Sequence, residues 1–459
     1  MSSRPAVATE LRATLAIALP LAAANLAQMA IGFTNTVMVG RLGSVPLAAA
    51  GLGGSLYFTI GITLQGIVTA VAPLAARAFG AGDRDGAARI AGQGLALAAL
   101  FALPFVAIIL VFDRLLLAFG YDAALAGEIA RYQHAVVWGA PAMLGFAALR
   151  SYLAAQARTR PIMLVLSGGV AANAGLNWVL IYGHLGAPAL GVAGAGYANA
   201  ANGWLMFAAL GGYTLATPSL SPARVLRGVL AWRPSDIAAI LRLGVPIGGI
   251  FLLEMAAFAG TGVLMGLIGA DALAANYIVS NCIGVSFMVT FGVAQAATVR
   301  VAFERGAGRS DAARRAATVA LGLGVAFMVA AAIVLWTAPR PIIAVYIDIG
   351  DPGNRAVVAI AVRLFAIAAL FQVFDGMQAI AAGALRGYED TTVPMVLAGF
   401  GYWAIGFVAS WVLGFPLGYG ADGLWWGILL GTVAVGVLLT WRLYRIARPA
   451  ARVAATIAA

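Results

Sequence analysis

The chain has no lysine, one cysteine, two histidines and only 10% charged residues over 459 positions. Each scarcity removes a class of protein. Soluble domains carry about a quarter charged residues, so a chain that is 63% hydrophobic reads as one dissolved in lipid. The lone cysteine, Cys282, admits no intrachain disulfide and is read as packing. His134 and His184 stand far apart in sequence and neither sits in a ligand motif. That leaves no metal cluster and no nucleophile with its base for an intramembrane hydrolase, so neither an enzyme nor a cofactor is expected. No polar leader, short apolar core and cleavage site open the chain, and the first apolar stretch reads as a retained span. Also missing are the alternating segments of about ten residues that a membrane β-barrel needs.

What the sequence does have is long apolar windows. A spanning helix needs roughly 20 predominantly apolar residues. Windows between successive charged residues run 13–40, 42–76, 90–112, 132–149, 161–223, 243–270, 272–299, 316–339, 364–385, 391–421 and 423–441, with one acid inside 243–270 and one inside 364–385. The segment Tyr182 to Pro188, rich in turn formers, splits the longest window in two. The prediction is an all-α integral membrane protein with twelve transmembrane helices.

The formal charge of +11 raises the question of nucleic acid, and the placement of the arginines answers it. Of the 28, 22 fall at the termini and in the even-sided connections. The other six, Arg41, Arg114, Arg131, Arg340, Arg355 and Arg363, lie on the opposite side. An arginine excess in short loops marks the cytoplasmic face. Both termini are thus expected in the cytoplasm of a bacterium, with the chain in its inner (plasma) membrane and no nucleic acid as partner. Arg442, Arg445, Arg448 and Arg452 also have the density of a patch for anionic membrane lipids.

An offset of 226 aligns the chain with itself: Pro20 with Pro246, Gly43 with Gly269, Leu47-Ala48-Ala49 with Leu273-Ala274-Ala275, and Gly80-Ala81-Gly82 with Gly306-Ala307-Gly308. Six spans per half is an even number, so both halves enter the membrane from the same side. The expected architecture is two six-helix lobes related by a pseudo-twofold axis along the membrane normal. The lobes are 1–222 and 236–459, joined by a cytoplasmic linker at 223–235, and the substrate site is expected in a cleft between them. The Gly-Ala-Gly segments read as tight turns, with Asp85 and Asp311 at helix starts where a carboxylate caps free N–H groups. They follow no strand, which excludes a nucleotide loop.

Two acids interrupt spans, Glu254 and Asp375. A charge near the bilayer centre costs about 2.5–3.5 kcal/mol on insertion scales and marks an ion or substrate path by default. Gln372 and Gln378 share the helical face of Asp375, while Phe251 and Phe258 share that of Glu254. Such a pair can take up a proton or hold Na⁺, and the sequence leaves both open. At the repeat offset Glu254 falls on Gln28 and Asp375 on Leu149, so the first half has no acidic counterpart. Its polar candidates for substrate contact are Gln28, Asn35, Asn173 and Asn177. Aromatics such as Tyr277, Phe287, Phe374, Tyr402 and Trp403 are candidates for holding a cation by cation–π contact.

The stretches Gln28 to Gly40, Leu176 to Gly183 with Gly186-Ala187-Pro188, the segment around Glu254, and Asp375 through Asp390 resemble the multidrug and toxic compound extrusion transporters, within them the NorM-like branch. The similarity runs along essentially the whole chain. It implies export of amphipathic, often cationic compounds in exchange for Na⁺ or H⁺ by a monomer, with Glu254 and Asp375 as the coupling-cation site and Phe287 facing the cation. The family often has Asp where this chain has Asn35. Asn cannot titrate, which shifts coupling to the second-half pair.

A flippase for lipid-linked precursors should line its cavity with arginine, and the sequence shows none well inside a span. A major-facilitator protein would fit the two-lobe pattern, but the segment beginning Gly80 is one residue short of that family's loop motif. A non-transporting scaffold would not need Glu254 and Asp375.

Overall fold

The computed structural model describes residues 4–118, 120 and 122–447, so Arg448 and Arg452 of the arginine-rich end lie outside the described residues. Among the described residues there are helices and turns and no strand. Eleven helices are long and apolar enough to cross a membrane, from Ala6–Gly40 to Gly420–Ile446. The twelfth span, Val192–Ala216, has the length at 25 residues, but Gly194, Asn199 and Asn202 dilute its hydropathy. The split at Tyr182 is as expected: the fifth span, Arg160–Tyr182, ends on Gly183 in the left-handed conformation at φ 76°, where a side chain is costly.

Helices outrun their apolar windows. Window 132–149 lies inside Ala123–Ala155, and window 364–385 inside Pro352–Gly387, because long polar side chains at helix ends reach the interface while their stems stay in the apolar zone. The turn after Gly80 is also confirmed, with Gly82 at φ +82°. The cap is Asp83, whose carboxylate accepts from Gly86 N at 2.7 Å, and not Asp85, which turns to Arg224. Asp311 sits in the first turn of Ser310–Thr337, where no side chain caps the helix.

The chain forms two compact units, one of residues 23–248 and one of 1–22 with 249–459. The boundaries fall just after Pro20 and Pro246, inside the first and seventh spans. Within the first unit the connection after span 6 is an ordered helix, Pro222–Leu230. Gln93 of the third span holds it, donating to Gly228 O at 2.5 Å and Ala231 O at 2.7 Å and accepting from Arg233 N at 3.1 Å. Asp236 then takes Arg89 at 2.8 Å. The second unit is centred on Phe365, Phe371, Leu424 and Trp425, all fully buried, with the Phe371 and Trp425 rings edge to face at 5.8 Å.

Candidate functional site

Spans 7 (Pro234–Ile268), 8 (Ala270–Gly306), 10 (Pro352–Gly387), 11 (Thr392–Gly414) and 12 (Gly420–Ile446) build the polar centre of the second unit. Glu254 is 9% exposed and Asp375 6%. Between them stands Tyr402, which lines both the pocket of Glu254 and the adjoining pocket of Asp375. Its hydroxyl donates to Gln378 Oε1 at 2.7 Å, and Gln378 Nε2 donates to Asp375 Oδ1 at 2.9 Å. The wall of the Glu254 pocket holds both Tyr402 and Gln378. One tyrosine and one amide thus border both carboxylates, which come from two helices.

The backbone of span 11 explains how Tyr402 gets there. Residues Phe400–Phe407 wind as a π-helix, an insertion that re-aims side chains and recurs at functional sites. Trp403, the next residue, donates its indole N–H to Leu253 O at 3.2 Å, fixing span 11 beside the residue that precedes Glu254. Phe287 lines the Glu254 pocket and stacks on Phe291 at 5.8 Å.

The structure thus brings together Glu254, Asp375, Phe287 and Gln378 of the second-half candidates. Gln372 is buried, but it accepts from Ser286 Oγ at 2.8 Å and lines neither pocket. Tyr277 is 61% exposed and stands outside the pocket walls.

In the first unit three candidates join one ladder. Asn177 Nδ2 donates to Asn173 Oδ1 at 3.0 Å and Asn173 Nδ2 to Asn199 Oδ1 at 3.0 Å. Asn199 Nδ2 reaches the Tyr132 hydroxyl at 3.5 Å, which Asn35 also engages. Gln28 lies apart from this ladder, accepting from Arg150 at 3.4 Å, while Arg150 also donates to Asn25 Oδ1 at 2.5 Å.

Two expectations are corrected. Arginine does occur within spans: Arg150, Arg300 and Arg386 belong to spans 4, 8 and 10, and Arg386, 8% exposed, lines the Glu254 pocket. It stands at the end of an apolar window, where the sequence gives no sign of which way it turns. Acids inside helices also number more than two. Glu10 and Glu304, 7% and 5% exposed, sit in spans 1 and 8, where Arg300 and Arg309 pair them. Tyr402, a cation–π candidate in the sequence, acts here through its hydroxyl, while Asn199 has nothing in the sequence to set it apart from many similar residues.

Among the described residues, eleven long apolar helices and a twelfth of spanning length, with buried titratable groups inside them, define a polytopic membrane protein of the secondary-transporter class. The MatE family model matches residues 20–179 and 246–412, and the chain belongs to that family, the multidrug and toxic compound extrusion transporters. It is 41% identical over 435 residues to the probable multidrug resistance protein NorM of Burkholderia mallei, covering 94% of this chain and 92% of that one. With the multidrug resistance protein NorM of Burkholderia vietnamiensis it shares 40% over 434 residues, 94% and 93% of the two chains. In fold it is similar to the crystal structure of the eukaryotic MATE transporter AtDTX14, with TM-score 0.85, 20% identity and coverage of 96% of this chain and 98% of that one.

Proposed function

We propose that the protein exports amphipathic organic cations and drugs by alternating access, in exchange for Na⁺ or H⁺ bound at Glu254 and Asp375. The observation that carries this reading is the pair of buried carboxylates on spans 7 and 10 whose pockets share Tyr402, with Gln378 bonded to both the phenol and Asp375. Carboxylate, amide and phenol oxygens are the donors a hard cation prefers, and either carboxylate can take a proton instead. The relatives named for multidrug resistance support the substrate class.

Antiport requires that ion and drug favour opposite-facing states, since a ligand shifts an equilibrium only through differential affinity. One inward charge is worth about 2.3 kcal/mol per 100 mV, enough for roughly tenfold to hundredfold accumulation. The working units of this cycle are 1–222 and 236–459, connected by 223–235, in a monomer in the bacterial inner (plasma) membrane. The arginine distribution supports cytoplasmic termini. Phe287 faces the coupling cation, while Gln28 and the asparagines of the first half contact substrate.

The test is efflux of a fluorescent organic cation from proteoliposomes under an imposed Na⁺ gradient or, separately, a pH gradient, for wild type, Glu254→Gln and Asp375→Asn. Gradient-driven efflux in wild type, lost in both variants, is expected, and the effective gradient names the ion. Transport undiminished in both variants overturns the assignment. Arg386 in the pocket wall favours one second reading, the flipping of anionic lipid-linked precursors. Transport of such a lipid with no response to either gradient would select it.

A further inference from the structure

Arg386 is the one guanidinium lining the Glu254 pocket. Among the described residues no ion pair includes it, and its Nε has no hydrogen-bond partner although it is buried. What holds it is the face of Phe251, 5.7 Å from the guanidinium carbon to the ring centroid. The neighbouring acid in its own segment, Asp390, is taken by Arg442 at 2.9 Å. Glu254 is the one carboxylate in the same pocket wall, close enough for its charge to act on Arg386.

A cation buried without an anchoring carboxylate is costly, and a cation–π contact restrains it by only about 0.5–2 kcal/mol. Asp375, Gln378, Ala382 and Arg386 follow one face of span 10 at helical spacing, and Ala379 and Ala382 line the pocket along with Gln378 and Arg386. Both alanines are too small to obstruct a long side chain.

We propose that Arg386 is the built-in counter-cation of the acid site, competing with the coupling cation for Glu254. The inference rests on the assignment of Glu254 and Asp375 as the coupling site. With both carboxylates ionised and Arg386 beside them, the site carries one net negative charge, and one monovalent cation neutralises it. Without Arg386 the site would carry two, hold its ion more tightly and release it more slowly. Arg386 thus keeps binding weak enough to reverse in every cycle, and one monovalent cation per turnover completes the charge balance.

The test uses full-length protein and tryptophan fluorescence, titrating Na⁺ at fixed pH and protons in Na⁺-free buffer. Arg386→Gln is expected to lower the half-saturating concentration of the coupling cation about tenfold while slowing gradient-driven efflux. Arg386→Lys, which keeps the charge, should stay within about threefold of wild type. Phe251→Leu, which takes away only the restraining ring, should move affinity the opposite way by freeing the guanidinium to lean on Glu254, and this keeps the proposal testable if Arg386→Gln does not fold. Unchanged or weaker cation binding in Arg386→Gln, with binding lost in Glu254→Gln, overturns the role of Arg386 alone. Cation binding that survives Glu254→Gln overturns it together with the coupling site.

Discussion

Arg300 grips Glu10 with two parallel hydrogen bonds of 2.9 and 2.8 Å across 290 positions of sequence. At the repeat offset Glu10 aligns with Asp236, and Asp236 takes Arg89 at 2.8 Å. Each half thus opens its first span with an acid that captures an arginine from a different helix. The two pairs differ in burial, with side chains 18% and 8% exposed for Arg300 and Glu10 against 33% and 19% for Arg89 and Asp236.

That difference sets an order of stability. Arg300→Gln strands Glu10 in a buried setting, while Glu304 keeps Arg309, and removing one partner of a buried ion pair costs about 3–5 kcal/mol. Asp236→Asn breaks a more solvated pair, worth about 1 kcal/mol or less. Thermal unfolding of the purified variants in detergent should show the larger loss for Arg300→Gln, and equal losses would contradict this ranking.

Tyr402→Phe removes one oxygen and leaves the ring. Gln378 Oε1 then loses its donor and the Glu254 pocket a hydroxyl from its wall. A buried group left unsatisfied costs about 1–3 kcal/mol, so gradient-driven efflux should fall about tenfold, while binding of the organic cation stays within about threefold. Normal coupling in Tyr402→Phe would remove the tyrosine from the site.

The spans and the acid pair were legible in the sequence for one reason: lipid forbids stray charge, so Glu254 and Asp375 stand out against an apolar background. The repeat was legible because its matches fall in equivalent turns. Pairing was not. Arg386 and Arg150 look like helix-end residues until tertiary packing turns them inward, and Gln372 looks equivalent to Gln378 until Ser286 claims it. The π-helical stretch that aims Tyr402 has no residue signature in Phe400–Phe407. It packs closely on span 12, where a Cβ at Gly431 would meet Gly406 Cα at 2.7 Å.

Gln372 and Gln378 provide a direct comparison, six residues apart on one helix. Gln378→Leu breaks the bridge to Asp375 and is expected to abolish coupled efflux. Gln372→Leu loses the Ser286 bond at a cost of about 1–3 kcal/mol in stability, with coupling retained. Paired measurements of melting and of gradient-driven efflux separate the two, and lost coupling in Gln372→Leu at wild-type stability would put it back in the site.

The asparagine ladder of the first unit is neutral from end to end, and Asn35 Oδ1 and Asn177 Oδ1 are buried without a partner. Asn35→Asp is close to isosteric and adds a titratable group beside Tyr132. At low pH the new carboxyl is protonated, uncharged like the amide it replaces, and efflux should match wild type. As pH rises the carboxyl ionises, the ladder acquires a charge it has no cation to balance, and efflux should depart from wild type or become dependent on an added proton per turnover. Efflux followed against pH in matched proteoliposomes, with the proton-to-substrate ratio measured from the pH change, decides the point. Identical profiles for Asn35→Asp and wild type would mean that this ladder is insulated from the transport cycle, and that the whole pH response belongs to groups outside it.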